Sequence, residues 1–335
     1  MARPLVLDAW FLTGPTASGK SAVGVELAAR LGAEIVSMDS MALYRGMDIG
    51  TAKPPLHARQ SVPHHLIDVL EPHQEYSLAQ YLEAAERCVE EVRSRGTEVL
   101  FVGGTPLYLK GLLRGIFQGP PADWALRRAW EEDARCSPPG TLHRRLLEVD
   151  PLAAQRLHPN DTRRIIRALE VFAKTGQPIS ALQRQFEVGR PAERCRVFVL
   201  DWPKLELYAR IDSRVDEMFA AGLLNEVRRL TRRVGSAHQD PQKDVGGRSP
   251  PCGLSRTARQ ALGYREVLEH LAGHRTLAET IALVKTHTRQ FAKRQCTWFR
   301  SLTECRLVPV SGTPGPAEIA ERIAALGRSA VSVDP

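Results

Sequence analysis

The chain has 335 residues, 43% hydrophobic and 25% charged, with a formal net charge of +8, a composition that excludes disordered, collagen-like and fibrous classes and leaves room for about two domains. No stretch approaches the roughly 18 uncharged apolar residues of a membrane span. The opening MARPLVLDAWFLTG lacks a secretory leader's basic region and cleavage site, and the six cysteines form no C-x-x-C pair, so a cytoplasmic protein with reduced thiols is expected, without a disulfide framework or zinc ribbon.

Residues 4–12 are an apolar run that ends ahead of Gly14, and Val23, Leu27 and Leu31 fall on one face of 20–31, which predicts strand, glycine turn and helix. Residues 33–38 predict a second strand, 78–96 a helix with Ser77 as N-cap and Gly96 as terminator, and 97–102 a third strand. Two further apolar runs at 196–201 and 305–310 complete about five strands alternating with helices. The fold class this predicts is α/β, a P-loop NTPase-like parallel sheet with helices on both faces.

Between 121 and 190 the strand signals stop, and Arg-rich helical pattern is broken at Pro138-Pro139, Pro151, Pro159 and Pro178. The expected organisation is a core in two parts, 1–120 and 191–335, with an all-helical subdomain inserted at 121–190. Residues 235–256 are rich in Gly, Pro and Ser without periodicity and read as a long loop. Charge is uneven along this plan: residues 1–120 carry 11 Lys and Arg against 13 Asp and Glu, 121–200 carry 14 against 10, and 201–335 carry 21 against 15. The excess after residue 120 fits a surface that binds a polyanion, and a solubility surface is the competing reading.

Residues 14–21, Gly14, Pro15, Thr16, Ala17, Ser18, Gly19, Lys20 and Ser21, fit G-x-x-x-x-G-K-[ST] between a predicted strand and a predicted helix. The glycines let successive N–H groups turn toward phosphate oxygens, the helix adds its positive end, Lys20 neutralises charge, and Ser21 is placed to hold Mg²⁺. In a parallel sheet ligands bind beyond the carboxyl ends of the strands, so Asp39-Ser40 and Gly103-Gly104-Thr105 should face this loop. Asp39 offers a carboxylate for proton transfer or metal support, and Thr105 a hydroxyl for a leaving phosphate. A small-molecule kinase is the alternative at this point, although RVFVLD, ending at Asp201, is the nearest approach to a Walker-B strand.

DSMALYRGMDIGTAKP at 39–54, taken with 14–21, resembles the tRNA dimethylallyltransferase family of isopentenyl-diphosphate:tRNA transferases. PHHLID at 63–68, VGGTPLYLKGLL at 102–113, LHPNDTRRIIRALEV at 157–171, QALGYREV at 260–267 and TRQFAKRQCTWFR at 288–300 follow in the same order. The resemblance covers nearly the whole chain. It implies transfer of the dimethylallyl group of dimethylallyl diphosphate to N6 of the adenosine 3′ of the tRNA anticodon, position 37, with release of diphosphate. An exocyclic amine is a weak nucleophile, so Asp39 would take its proton, while Lys20, Thr105, Arg127, Arg214 and Mg²⁺ at Ser21 meet the charge growing on diphosphate.

The adenine must be turned out of the anticodon loop to reach such a site. The resemblance assigns RNA contacts to Asp39, Ser40, Met41 and Ala42, to Gln260, Gly263, Tyr264 and Arg265, and to Lys293, Arg294, Gln295, Trp298 and Arg300. It also assigns them to Arg163, Arg164, Ile165, Ile166 and Arg167 in the insertion. Arg289, Lys293 and Arg300 recur on one helical face as a basic stripe, with Trp298 available to stack or to pack. Many relatives carry Gln where Ala42 stands, so an amide contact to the adenine must come from elsewhere. His64 and His65 lack a third ligand at suitable spacing and read as structural. The implied partners are the tRNA anticodon stem-loop and dimethylallyl diphosphate, with no protein partner and a monomeric chain. An adenylate isopentenyltransferase, which would need no basic surface, and a noncatalytic RNA-binding module are the other readings.

Overall fold

A computed structural model describes residues 5–117, 119–183, 188–232 and 253–329. The loop expected at 235–256 lies outside the described residues up to 252. The chain forms two compact units, Met1–Leu113 with Arg190–Pro335, and Arg114–Gly189.

The first unit is built on strands β1 (Trp10–Thr13), β2 (Ala33–Ser37), β3 (His64–His65), β4 (Glu98–Gly103), β5 (Val197–Asp201) and β6 (Cys305–Pro309). All pair in parallel in the order β3-β2-β4-β1-β5-β6. Apolar residues on both pleat faces dictate this burial. Trp10, Leu12, Leu100, Val102, Phe198 and Leu200 pack on one side with Val23, Leu27, Ile319 and Ile323 of the helices Lys20–Leu31 and Pro316–Ser329. Phe11, Val36, Val99, Phe101, Val197 and Val199 pack on the other with Tyr81, Val89 and Leu109 of the helices Leu78–Ser94 and Pro106–Arg114. At about 0.8 kcal/mol per buried CH₂, these two layers are the main source of the unit's stability.

Four of the six strands coincide with apolar runs of the sequence, and β1 takes only the end of the 4–12 run, whose Leu5–Asp8 is a 3-10 helix. The sixth, β3, is only the pair His64–His65, too short to carry a periodic signal. The Leu78–Ser94 helix starts as expected: Ser77 Oγ accepts from Gln80 N–H at 3.3 Å and Gln80 Oε1 accepts from Ser77 N–H at 2.9 Å, a reciprocal cap.

In the second unit, helices Trp124–Cys136, Thr141–Val149, Pro151–Arg156 and Thr162–Thr175 surround a core of Leu142, Leu146, Ala153, Ala154, Ile165, Ile166 and Leu169. Asp150 accepts from Ala153 N–H, Ser180 N–H and Ser180 Oγ at 3.0, 3.0 and 2.7 Å, so its buried carboxylate ties a helix start to a later turn. Ile165 and Ile166, assigned above to RNA, are buried in this core. The motif match covered the inward face of an amphipathic helix along with its outward arginines, and these two residues are corrected to packing positions. Among the described residues no helix is long and apolar enough to cross a membrane.

One close approach shapes the cleft end of the sheet. A Cβ on Gly103 would lie 2.1 Å from the Met38 carbonyl oxygen, so only glycine lets the ends of β2 and β4 converge. Gly103→Ala is expected to destabilise the protein by about 3 kcal/mol, the scale of overpacking against backbone. Chemical denaturation measures this, and an unshifted midpoint would refute the close approach.

Candidate active site at the carboxyl ends of the strands

The 14–19 loop runs from β1 into the Lys20–Leu31 helix, whose N-cap Gly19 has φ 85° and receives no side-chain cap. The first N–H groups of the helix are thus left for an anion. Two loop carbonyls are held outward: Arg210 Nε donates to Ala17 O at 2.9 Å and Trp202 Nε1 to Ser18 O at 3.0 Å. Arg210 also lies 4.3 Å from the centroid of the Trp202 ring. Ala17 itself sits at φ 63°, a left-handed conformation uncommon for a side-chain-bearing residue, and these two bonds help to hold it.

A third bond pair ties the loop to β4. Gln295, in the helix Leu277–Ser301, accepts from Thr16 N–H at 2.9 Å and donates through Nε2 to Gly104 O at 2.5 Å. Beside it, Thr105 Oγ1 accepts from Ser40 N–H at 3.1 Å, and Asp39 Oδ1 accepts from Met41 N–H at 2.9 Å. The ends of β1, β2 and β4 are in this way fixed around one space.

That space is a cavity of about 390 Å³ lined by Thr16, Lys20, Ser21, Asp39, Thr105 and Arg214, among others. Lys20 Nζ donates to Pro15 O at 3.3 Å. Burial, reinforced by the like charge of Arg214 and opposed by the attraction of Asp39, lowers the Lys20 ammonium to about 8. Burial also lowers Arg214, again against the pull of Asp39, and Arg214 Nε is buried without a hydrogen-bond partner. Two desolvated cations, one with an unspent donor, are the signature of an anion site.

The rest of the lining is largely apolar. The helix Lys204–Ala220 contributes Ile211, Val215 and Met218, and the long helix contributes Val284, Thr288 and Phe291 in register with Gln295. On another face of the same two helices, Arg289 meets Asp212 at 2.9 Å and Lys285 meets Asp216 at 2.7 Å. Asp39–Ala42, Gly50–Pro54 and Gln260–Leu262 complete the lining.

The IPP transferase family model matches residues 42–302. The chain belongs to the IPP transferase family. The chain is 46% identical to a tRNA dimethylallyltransferase of Rhodopirellula baltica over 90% of its length and 88% of that protein. It is 45% identical to one of Geobacter metallireducens, over 89% and 91%. The structure of the full-length tRNA isopentenylpyrophosphate transferase of Bacillus halodurans aligns with TM-score 0.63 at 35% identity, covering 96% of this chain and 97% of that one. A eukaryotic dimethylallyltransferase, solved acting on tRNA, aligns with TM-score 0.71 at 28% identity, covering 90% and 73%.

Within this IPP transferase fold, Thr16, Lys20, Ser21, Asp39, Ser40, Met41, Ala42, Thr105, Arg214, Gln260, Arg294 and Gln295 share the cavity. Gly14, Pro15, Ala17, Ser18 and Gly19 supply the loop backbone. Several other candidates have different work. Tyr264 is fully buried and donates to Glu226 at 2.5 Å, and Gly263 holds φ 88° at the start of its helix, so both are corrected from RNA contact to support. Gln295 is 3% exposed with both ends of its amide engaged, so it braces the loop while lining the cavity. Trp298 is partly buried against the core layer that holds Phe11, Phe101 and Val199.

The basic stripe is partly neutralised: Arg289 pairs with Asp212, and Arg300 meets Asp201 at 2.9 Å, leaving Lys293 exposed between them. Arg265 is exposed and approaches Glu266 at 3.6 Å. In the helical unit Arg127 grips Glu170 through two bonds of 2.9 and 2.7 Å, Arg167 meets the same carboxylate, Arg164 pairs with Asp161 at 3.5 Å, and Arg163 is exposed. His64 Nδ1 meets Val62 O at 2.7 Å and His65 Nε2 meets Glu34 at 2.6 Å, a structural use of both rings. Arg210, Trp202 and the apolar stripe were not anticipated; the spacing of 284, 288, 291 and 295 was the available signal, masked by the basic stripe beside it.

Because Lys20 loses its proton near pH 8, pyrophosphate binding should weaken as pH rises from about 7 to about 9.5. Lys20→Arg, charged throughout, is expected to lack this loss, which separates the lysine from the ligand's own titration. Calorimetric titration at several pH values checks it; parallel pH profiles for the two proteins would refute it.

Proposed function

We propose that the protein transfers the dimethylallyl group of dimethylallyl diphosphate to N6 of the adenosine 3′ of the anticodon in tRNA, acting in the cytoplasm. The observation that carries this reading is the cavity that Asp39 shares with Lys20, Arg214 and Thr105, its charge felt by both cations, with an apolar stretch of lining beside them. The phosphate loop and the two cations hold the diphosphate, while Ile211, Val215, Met218, Val284 and Phe291 shelter the five-carbon chain from water. The N6 lone pair forms the new bond to C1 of the prenyl group, the C1–O bond breaks, and its electron pair leaves with diphosphate. Asp39 accepts the N6 proton, and its own acceptance of the Met41 N–H orients the carboxylate for that transfer.

Charge grows on the departing oxygen, where Lys20, Arg214 and the Thr105 hydroxyl are already in place, so they act most strongly as the bond breaks. Among the described residues no group of three or more His, Cys, Asp or Glu could hold a metal ion. Ser21, which lines the cavity beside Lys20, would hold a magnesium ion, and the ion would add positive charge against the leaving group. Gln260 shares the cavity with Ala42 and supplies the amide that the alanine lacks. The exposed Lys293 and Arg163, with Arg164, Arg167 and Arg265, engage RNA phosphates. The nearest approach to a kinase acid, Asp201, is paired with Arg300.

Asp39→Ala is expected to reduce turnover by about 10²-fold or more, the scale of general-base loss, with little change in tRNA affinity. Single-turnover transfer of labelled dimethylallyl diphosphate reads this directly, and undiminished turnover removes the base role. The same assay with AMP in place of tRNA must stay blank; product from AMP alone would indicate a cytokinin-forming enzyme instead. Lys293→Ala should weaken tRNA binding and reduce the salt slope of log K by about one phosphate contact. An unchanged slope in filter-binding titrations would assign this lysine to solvent.

A further inference from the structure

Glu226, in the helix Leu223–Arg232, is 2% exposed and meets no Lys, Arg or His side chain among the described residues. Its oxygens are instead met by four neutral donors. Oε2 accepts from Asp48 N–H at 2.9 Å and Ile49 N–H at 2.8 Å, and Oε1 accepts from Gly50 N–H at 3.3 Å and from the Tyr264 hydroxyl at 2.5 Å. A buried carboxylate persists only when its lone pairs are filled, and here they are filled from two segments far apart in sequence.

Those segments adjoin two stretches of the cavity lining, which form two of its walls. Asp48–Gly50 leads into Gly50–Pro54, and Tyr264 stands one residue, Gly263, beyond Gln260–Leu262. The walls also touch behind the lining: a Cβ on Gly50 would lie 2.4 Å from Tyr264 Cε2 and 2.9 Å from Leu223 Cδ1. The far end of the first wall is fixed by Lys53, whose ammonium donates to Tyr44 O at 2.5 Å, Asp68 at 2.6 Å and Asp48 at 2.8 Å. None of these groups reaches the phosphate loop.

We propose that Glu226, with Tyr264 as its partner, is a positioning residue that sets the separation of the two walls between which the RNA base enters, and so governs RNA recognition while leaving donor binding alone. This rests on the transferase reading above. A carboxylate is required because one atom pair must accept four hydrogen bonds. Glutamine has one acceptor oxygen, and its NH₂ would face either the Asp48 and Ile49 N–H groups or Gly50 N–H and the tyrosine.

Steady-state kinetics with an anticodon stem-loop RNA and dimethylallyl diphosphate test it on Glu226→Gln and Tyr264→Phe. For Glu226→Gln, KM for RNA should rise about tenfold, with kcat at saturating RNA and KM for the donor within about twofold of wild type, the split expected when uniform substrate binding is lost. Tyr264→Phe, which removes one donor and keeps the ring against Gly50, should move the same constant in the same direction by a smaller factor. Pyrophosphate affinity, measured separately, should be unchanged in both. Unchanged KM for RNA in both variants overturns the proposal, and so does a parallel loss of RNA and pyrophosphate binding, which marks a merely structural role. If Glu226→Gln does not fold, Tyr264→Phe decides alone. A wild-type protein that binds pyrophosphate and prenylates no RNA overturns the transferase reading, and with it this one, whereas an active wild type with indifferent variants overturns this inference only.

Discussion

Everything at the cleft end of the sheet answers to one electrostatic problem: two cations, Lys20 and Arg214, are held out of water beside each other, offset by Asp39, which acts on both, and by Glu217, which acts on Arg214. Like charges in a desolvated space repel, so the arrangement stands only because the surrounding backbone is rigid. The rigidity comes from named bonds. Trp202 and Arg210 hold two loop carbonyls outward, Gln295 braces the loop against Gly104, and Gly103 lets the ends of β2 and β4 close on each other. An anion bound between the two cations would relieve the repulsion.

The parts of this site that were legible in the sequence are those written locally. A glycine loop between a strand and a helix, a carboxylate after β2 and a hydroxyl after β4 each occupy a few consecutive residues, and the rule that ligands sit beyond parallel strand ends brings them together. Arg214 could be reached only through resemblance, since a single arginine on a helix carries no pattern. Gln295, Glu226 and Arg210 were beyond reach for a different reason: their partners lie 279, 178 and 193 residues away, and no local spacing encodes such pairs.

The misreadings have a common cause. A motif match treats adjacent residues alike, whereas a helix sends neighbours to opposite faces. Ile165 and Ile166 lie between outward arginines and turn into the core of the helical unit. Tyr264 sits beside the exposed Arg265 and is wholly buried. Charge counting erred similarly: the basic stripe of the long helix was legible, but the acids Asp212 and Asp201 that cover two of its members come from other elements. The two-residue β3 shows the same limit for strands, being defined by its neighbour β2 more than by its own sequence.

The pinned carbonyls of the phosphate loop have a consequence for selectivity. A loop folded before its ligand arrives spends little conformational entropy on capture, so it can bind a small, highly charged group without a closing lid. The mould also cannot widen to suit a poor fit. Selection among anions at such a loop therefore rests on how many oxygens fill a fixed set of donors, a choice made by shape.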